Sequence, residues 1–137
     1  MKTNLSLILV AAAFTGSVAC GSALAGNDRV RLQCGSEGAG DISMDVRYLK
    51  RRARAKFDGS FEAAPGGNYT EGDMLTVLVG GVDVGAVTLV AQLNGDLGGD
   101  LEFDTRLDDF NPFPDNFPKV TVGTSVTVGP LGCELAR

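Results

Sequence analysis

Two cysteines near opposite ends of residues 26–137 are the first residues that could do chemistry. Cys34 and Cys133 lack the C-x-x-C spacing that tunes thiols for redox exchange, so we do not expect a reactive pair. Of the three cysteines, Cys20 would leave with the export signal described below, and the even number that remains in an oxidising compartment predicts a structural disulfide instead. Such a bridge would place the first and last strands side by side, or facing each other across a core.

Closely spaced cations are a second candidate. Six of the 12 Lys and Arg residues fall within positions 47–56. Alternation in this region predicts that Arg52, Arg54 and Lys56 lie on the solvent side of a strand, where they could bind an acidic partner or pair with another subunit. The simpler interpretation is a solvated strand face balanced by nearby acids.

A proline-rich segment with regularly spaced aromatic residues is a third candidate. Phe110, Phe113 and Phe117 recur among three prolines in residues 108–118. If these rings are exposed, they form a patch for an unknown protein or surface partner. The alternative, which we favour, is that they plug one end of the β core.

Aspartates provide the only metal hypothesis. Asp96, Asp100 and Asp104 place hard oxygens on a short stretch, and Ca²⁺ takes six to eight such ligands. A calcium-dependent binding module is therefore one alternative function, although acidic residues in turns commonly form turns without metal. Paired carboxylates can also hydrolyse glycosides, so a small hydrolase is a further alternative.

Missing residue types exclude several kinds of site. The chain has no histidine, which excludes Ser-His-Asp and Cys-His catalysis and ordinary zinc sites. It also has no tryptophan, the strongest anchor for stacking a sugar or a partner. We therefore expect a non-catalytic protein that acts by binding or structural association at the cell envelope or outside the cell, and that needs no cofactor, with calcium as the one exception considered.

The N-terminal segment has the pattern of an export signal. Lys2 supplies the positive charge, residues 5–14 are apolar, and Ala23-Leu24-Ala25 is a cleavage site of the A-x-A type. The apolar run is shorter than the roughly 18–20 residues that span a bilayer, so we expect no membrane span. We predict a signal peptide over 1–25 and a periplasmic or extracellular product. Small residues before Cys20 leave a lipid anchor to the cell envelope as the alternative.

After cleavage the protein has a net negative charge, and its charged residues are unevenly distributed along the sequence. Removing Lys2 leaves 17 acidic and 11 basic residues, a net charge of −6, which argues against nucleic acid as a partner. From Gly66 onward there are 11 acidic and three basic residues. A basic strip opposing an acidic remainder suggests internal charge complementarity or a head-to-tail contact with a partner.

Side chains of alternating polarity dominate residues 26–137 and predict strands. Residues 52–63 alternate strictly, although good helix formers leave a helix over 44–56 as an alternative. Glycines at 80 and 81 between two β-branched runs predict a tight hairpin. We expect a single all-β domain, an antiparallel β-sandwich of the Ig-like or jelly-roll-like kind with 7–9 short strands. The alternative is a small β-barrel.

Three segments carry a resemblance to other proteins. They are residues 113–120 with the Gly123-Thr124 turn and the run 126–129, the alternating stretch 53–61, and the hairpin 80–85. In these segments the chain resembles a group of uncharacterised secreted bacterial all-β proteins, over about 50–130. The group has no assigned activity or functional residues. The resemblance therefore implies export and a β fold, and it implies no mechanism.

Overall fold

All regular structure in the described part of the chain is β-strand. The computed structural model describes residues 28–106 and 111–137. The helix considered for 44–56 is wrong, because residues 44–51 and 54–56 belong to two strands along which buried and exposed side chains alternate. The strands are β1 (Arg29–Gly38), β2 (Ile42–Arg51), β3 (Arg54–Ala63), β4 (Met74–Val79), β5 (Val82–Thr88), β6 (Val90–Ala91), β7 (Leu97–Asp104), β8 (Ser125–Val128) and β9 (Leu131–Glu134).

Three of the sequence predictions concern residues outside the described ranges. These are the signal peptide over 1–25, the lipidation of Cys20, and the position of Phe110. Within the described ranges, no helix has the length and apolar character needed to cross a membrane.

The strands form two antiparallel sheets that pack against each other. Sheet A has the order β1-β2-β3-β7-β6, and sheet B has the order β5-β4-β8-β9. Among the described residues the sheets do not close into a barrel, so the predicted sandwich is confirmed and the barrel alternative is not. The nine strands fall within the number expected from the sequence.

The core lies between the sheets because each strand turns its apolar side chains to one side. In sheet A, Leu32, Tyr48, Phe57 and Phe103 are register neighbours, and none is more than 8 % exposed. Burying a side chain of this size contributes about 1.5–3 kcal/mol. Sheet B supplies branched aliphatic side chains to the same cluster: Val77, Val79, Val84, Val87, Val126, Val128 and Leu131.

The predicted disulfide joins the two sheets. Cys34 in β1 and Cys133 in β9 are bonded, with their Cα atoms 5.8 Å apart. Beside them, the backbone N–H of Gln33 donates to the carbonyl of Ala136 at 2.8 Å, and Ala136 donates back at 3.0 Å. The first and last strands therefore lie side by side at one edge of the sandwich.

A two-residue turn, Arg52-Ala53, connects β2 to β3. Arg52 has a φ of 54°, in the left-handed region that costs a non-glycine residue roughly 1–2 kcal/mol. The ten-residue pairing of β2 with β3 holds the turn in place. Consequently the strand predicted to begin at Arg52 begins at Arg54, and Arg52 lies in the turn rather than on the strand face.

Candidate binding face

The outward side of β1, β2, β3 and β7 carries most of the charged residues singled out above; we call it the outer face. β1, β2 and β3 are consecutive antiparallel neighbours, and each pair stays in register over ten residues. β7 continues the sheet beside β3. Because side chains alternate along every strand, outward residues line up in rows that cross the strands. This meander brings together charges that are far apart in the sequence.

One row consists of three arginines. Arg29 lies directly opposite Arg51, and Arg51 lies directly opposite Arg54. Like charges directly opposite each other destabilise a sheet, so placing Arg29 and Arg51 side by side does not serve folding. All three residues are exposed, and within residues 28–106 and 111–137 neither Arg29 nor Arg51 forms an ion pair. Their guanidinium groups face solvent and are available to an anion.

The arginine row borders a shallow depression of about 230 Å³. Its floor includes Leu49, which is half-buried between the charged side chains of neighbouring strands. Guanidinium groups bind carboxylate and phosphate oxygens through paired hydrogen bonds, so this depression can hold an acidic group. The lining residues are Arg29, Leu49, Arg51, Arg54 and Lys56.

A buried carboxylate fixes one end of this row. Asp104 is fully buried, and its two oxygens accept from Arg54 Nη2 at 2.8 Å and Arg54 Nε at 3.3 Å. The backbone N–H of Arg106 donates to the same carboxylate at 3.0 Å. The hydrogen bond from Arg54 is the main cause that lowers the pKa of Asp104, and the hydrogen bond from the Arg106 backbone lowers it further. Arg54 is therefore held in one orientation along the edge of the depression.

Asp104→Asn tests this ion pair through its pH dependence. Because the pKa of Asp104 is lowered in the folded protein, its carboxylate stabilises the fold above the unfolded value of about 3.9. That contribution disappears as the pH falls through the folded pKa. We expect the variant to be less stable than wild type at pH 7 and the difference to shrink below about pH 4. Urea unfolding at several pH values measures the difference in the free energy of unfolding between the variant and wild type. A difference that does not change with pH would contradict a stabilising ion pair between Arg54 and Asp104.

Charge changes sign along the strands of the outer face. The basic end comprises Arg29, Arg31, Arg51, Arg54 and Lys56. A middle row holds Arg47, Asp58 and Glu102. The acidic end comprises Glu37, Asp45, Glu62 and Asp100.

One ion pair and one shifted pKa characterise the middle row. Lys56 Nζ lies 3.7 Å from Glu102 Oε1, which links the basic end to this row. Burial raises the pKa of Asp58, Lys56 opposes this rise, and the negative charge of Asp100 adds to it. Burial is therefore the main cause of the shift, and the charges around Asp58 act in both directions.

The three aspartates of the calcium hypothesis do not meet. Asp96 exchanges hydrogen bonds with Asn94 in the turn before β7, Asp100 lies on the outer face, and Asp104 is bound to Arg54. Within the described ranges, no group of three or more His, Cys, Asp or Glu residues is arranged to hold a metal ion. The geometry therefore lends this hypothesis no support.

The described phenylalanines of the proline-rich loop pack against the core. Phe117 makes an edge contact with Phe57, with ring centroids 5.4 Å apart, and Phe113 lies 5.7 Å from Phe103. Phe113 and Phe117 are themselves 4.7 Å apart, and both are partly buried. This is the plug arrangement, so these two rings do not form the exposed patch considered for partner binding.

Sequence reasoning identified only part of the basic end. Arg54 and Lys56 lie on the outer face as expected, whereas Arg29 and Arg31 join them through the pairing of β1 with β2. No local pattern reveals this, because β1 precedes the cation-rich segment and only the register brings it alongside. The resulting surface is suited to reversible association with an anion. No family model, curated protein or solved structure matches the chain.

Proposed function

We propose that this chain is a non-catalytic binding protein that works outside the cytoplasm and holds an anionic partner at the basic end of its outer face. The three-arginine row carries the proposal. Cross-strand cations weaken the sheet, and Arg29 and Arg51 have no ion pair among the described residues that would offset this cost. An acidic partner would supply the missing counter-charge.

Two features support the proposed location. The Cys34–Cys133 disulfide fits an oxidising compartment. The N-terminal 25 residues have the charge, apolar run and cleavage pattern of a signal peptide. When the full chain is expressed in a secreting bacterial host, we expect a product that begins at Gly26, which intact-mass measurement identifies.

Binding is tested with poly-L-glutamate as the anionic probe. The secreted protein should bind it, and higher salt should weaken the complex because these charges are exposed. The double variant Arg29→Thr/Arg51→Thr should bind about tenfold or more weakly, since charge-assisted hydrogen bonds contribute about 1.5–3 kcal/mol each. Threonine keeps the β propensity of both strands.

A matched control removes two positive charges that lie outside the arginine row. Lys119→Thr/Arg137→Thr leaves the arginine row intact, and both residues are exposed. We expect this control to bind poly-L-glutamate like wild type. Absence of binding by wild type at low salt, or an equal loss in both double variants, would refute the proposal.

A further inference from the structure

The outer face carries opposite charges at its two ends. Five cations occupy the basic end and four carboxylates occupy the acidic end, with mixed charge between them. The two ends lie eight positions apart along β1, from Arg29 to Glu37, which is about 26 Å of extended chain. When a copy of this surface is turned end for end, its acidic end meets the basic end of the original.

Symmetry selects one arrangement of two such faces. In a closed dimer the same patch is used by both copies, related by a two-fold axis. An axis along the strands would set the arginine rows against each other. An axis across the strands, near the middle row, turns that row against the same row of the other copy and sets Arg29 of one copy against Glu37 of the other and Arg54 against Glu62. Each of these contacts then occurs twice.

The available area sets the strength of such a dimer. Three strand spacings of about 4.8 Å, with side chains, make the outer face about 20 Å wide. With its length, this gives about 500–600 Å² for each copy. Specific complexes bury about 800 Å² for each partner, and transient ones bury less. The outer face therefore suits a weak, reversible dimer rather than a permanent one.

We propose that the anionic partner is a second copy of this chain, bound through the two outer faces with their strands antiparallel. The proposal rests on the binding function assigned above and names its partner. Long-range repulsion between two acidic molecules opposes the contact, so the pattern of charge on the face, and not the net charge, has to drive it.

A charge swap tests the proposed contact. Sedimentation analysis over a range of protein concentrations should show a wild-type monomer–dimer equilibrium. Arg29→Glu or Glu37→Arg alone should weaken the dimer about tenfold or more, because two attractive contacts become repulsive. Arg29→Glu/Glu37→Arg restores both contacts with the net charge unchanged, so its dissociation constant should return to within about threefold of wild type.

Controls separate this contact from general charge effects. Lys119→Glu makes the same charge change outside the face and should leave dimerisation unaltered. Glu62→Arg, on a different strand, should weaken the dimer independently, and near-UV circular dichroism checks that each variant is folded. A wild-type protein that stays monomeric, or a swap that does not restore association, would overturn the proposal.

The two proposals fail in different ways. A wild-type protein that binds poly-L-glutamate but stays monomeric would refute the dimer and leave the binding function standing. Lack of both activities would refute both. The swapped variant should form dimers yet bind poly-L-glutamate less tightly than wild type, because its arginine row is interrupted.

Discussion

Replacing Cys34 and Cys133 by serine is expected to lower the free energy of unfolding by about 4 kcal/mol. The two residues are 99 positions apart, and a bridge closing a loop of about 100 residues removes roughly 4–5 kcal/mol of chain entropy from the unfolded state. The bridge also joins β1 of sheet A to β9 of sheet B, which meet at a sheet edge. Both positions are half-buried, so the serine hydroxyl groups can reach water.

Urea unfolding measures this effect, and wild type treated with reductant is the matched control. Reduction breaks the same bond without changing any side chain, so the two samples should lose similar stability. A loss below about 1 kcal/mol in both samples would contradict the expected role of the bridge. Two free thiols in the native secreted protein would contradict the bond itself.

Gly99→Ala is expected to destabilise the fold by about 3 kcal/mol or more. A Cβ atom at this position in β7 would collide with the backbone carbonyl oxygen of Thr88 and would lie 2.8 Å from Val87 Cγ1. Overpacked sites typically cost 1–3 kcal/mol, and a backbone neighbour cannot move aside as a side chain can. The end of β5 and strand β7 would have to separate.

Gly98→Ala is the matched control for this prediction. The new methyl group would meet the end of the flexible Gln92 side chain at 3.1 Å, and that side chain can swing away. We expect a change of less than about 1 kcal/mol. Chemical denaturation measures the free energy of unfolding of both variants. Equal values would contradict the claim that the close approach of β7 to Thr88 leaves no room for a side chain at position 99.

Elements with local signals were predictable, and those set by distant contacts were not. Gly80-Gly81 forms the expected hairpin turn, with φ values of 56° and 81°. Adjacent glycines such as Gly98 and Gly99 are typical of turns, yet both lie inside β7. A side chain at position 99 would collide with the Thr88 backbone, and one at position 98 would meet the Gln92 side chain. No local sequence pattern reveals these contacts.

Turns without glycine and isolated β-branched runs are difficult to interpret from local sequence. The Arg52-Ala53 turn is hidden, because polar and apolar residues keep alternating through it. Residues 120–122 have strand propensity but form no strand, since they lack a neighbouring strand in the described structure. Strand propensity is a property of a single segment, whereas a strand also needs a neighbouring strand to hydrogen-bond with its backbone N–H and C=O groups.

The binding face shows the same division between local and distant information. Alternation placed Arg54 and Lys56 on a solvent-facing strand side, and the structure agrees. The arginine row depends on the pairing of β1 with β2 and of β2 with β3. The plug formed by Phe113 and Phe117 likewise depends on contacts with Phe57 and Phe103 from other strands.

Amide chemical-shift mapping tests the central claim most directly, because it reports which surface responds when the protein associates. Titration of the isotope-labelled protein with poly-L-glutamate should shift residues 29–31 and 47–56 most strongly. Dilution of the protein alone should shift both ends of the outer face. Changes confined to sheet B or to residues 111–124 would contradict a binding role for this face.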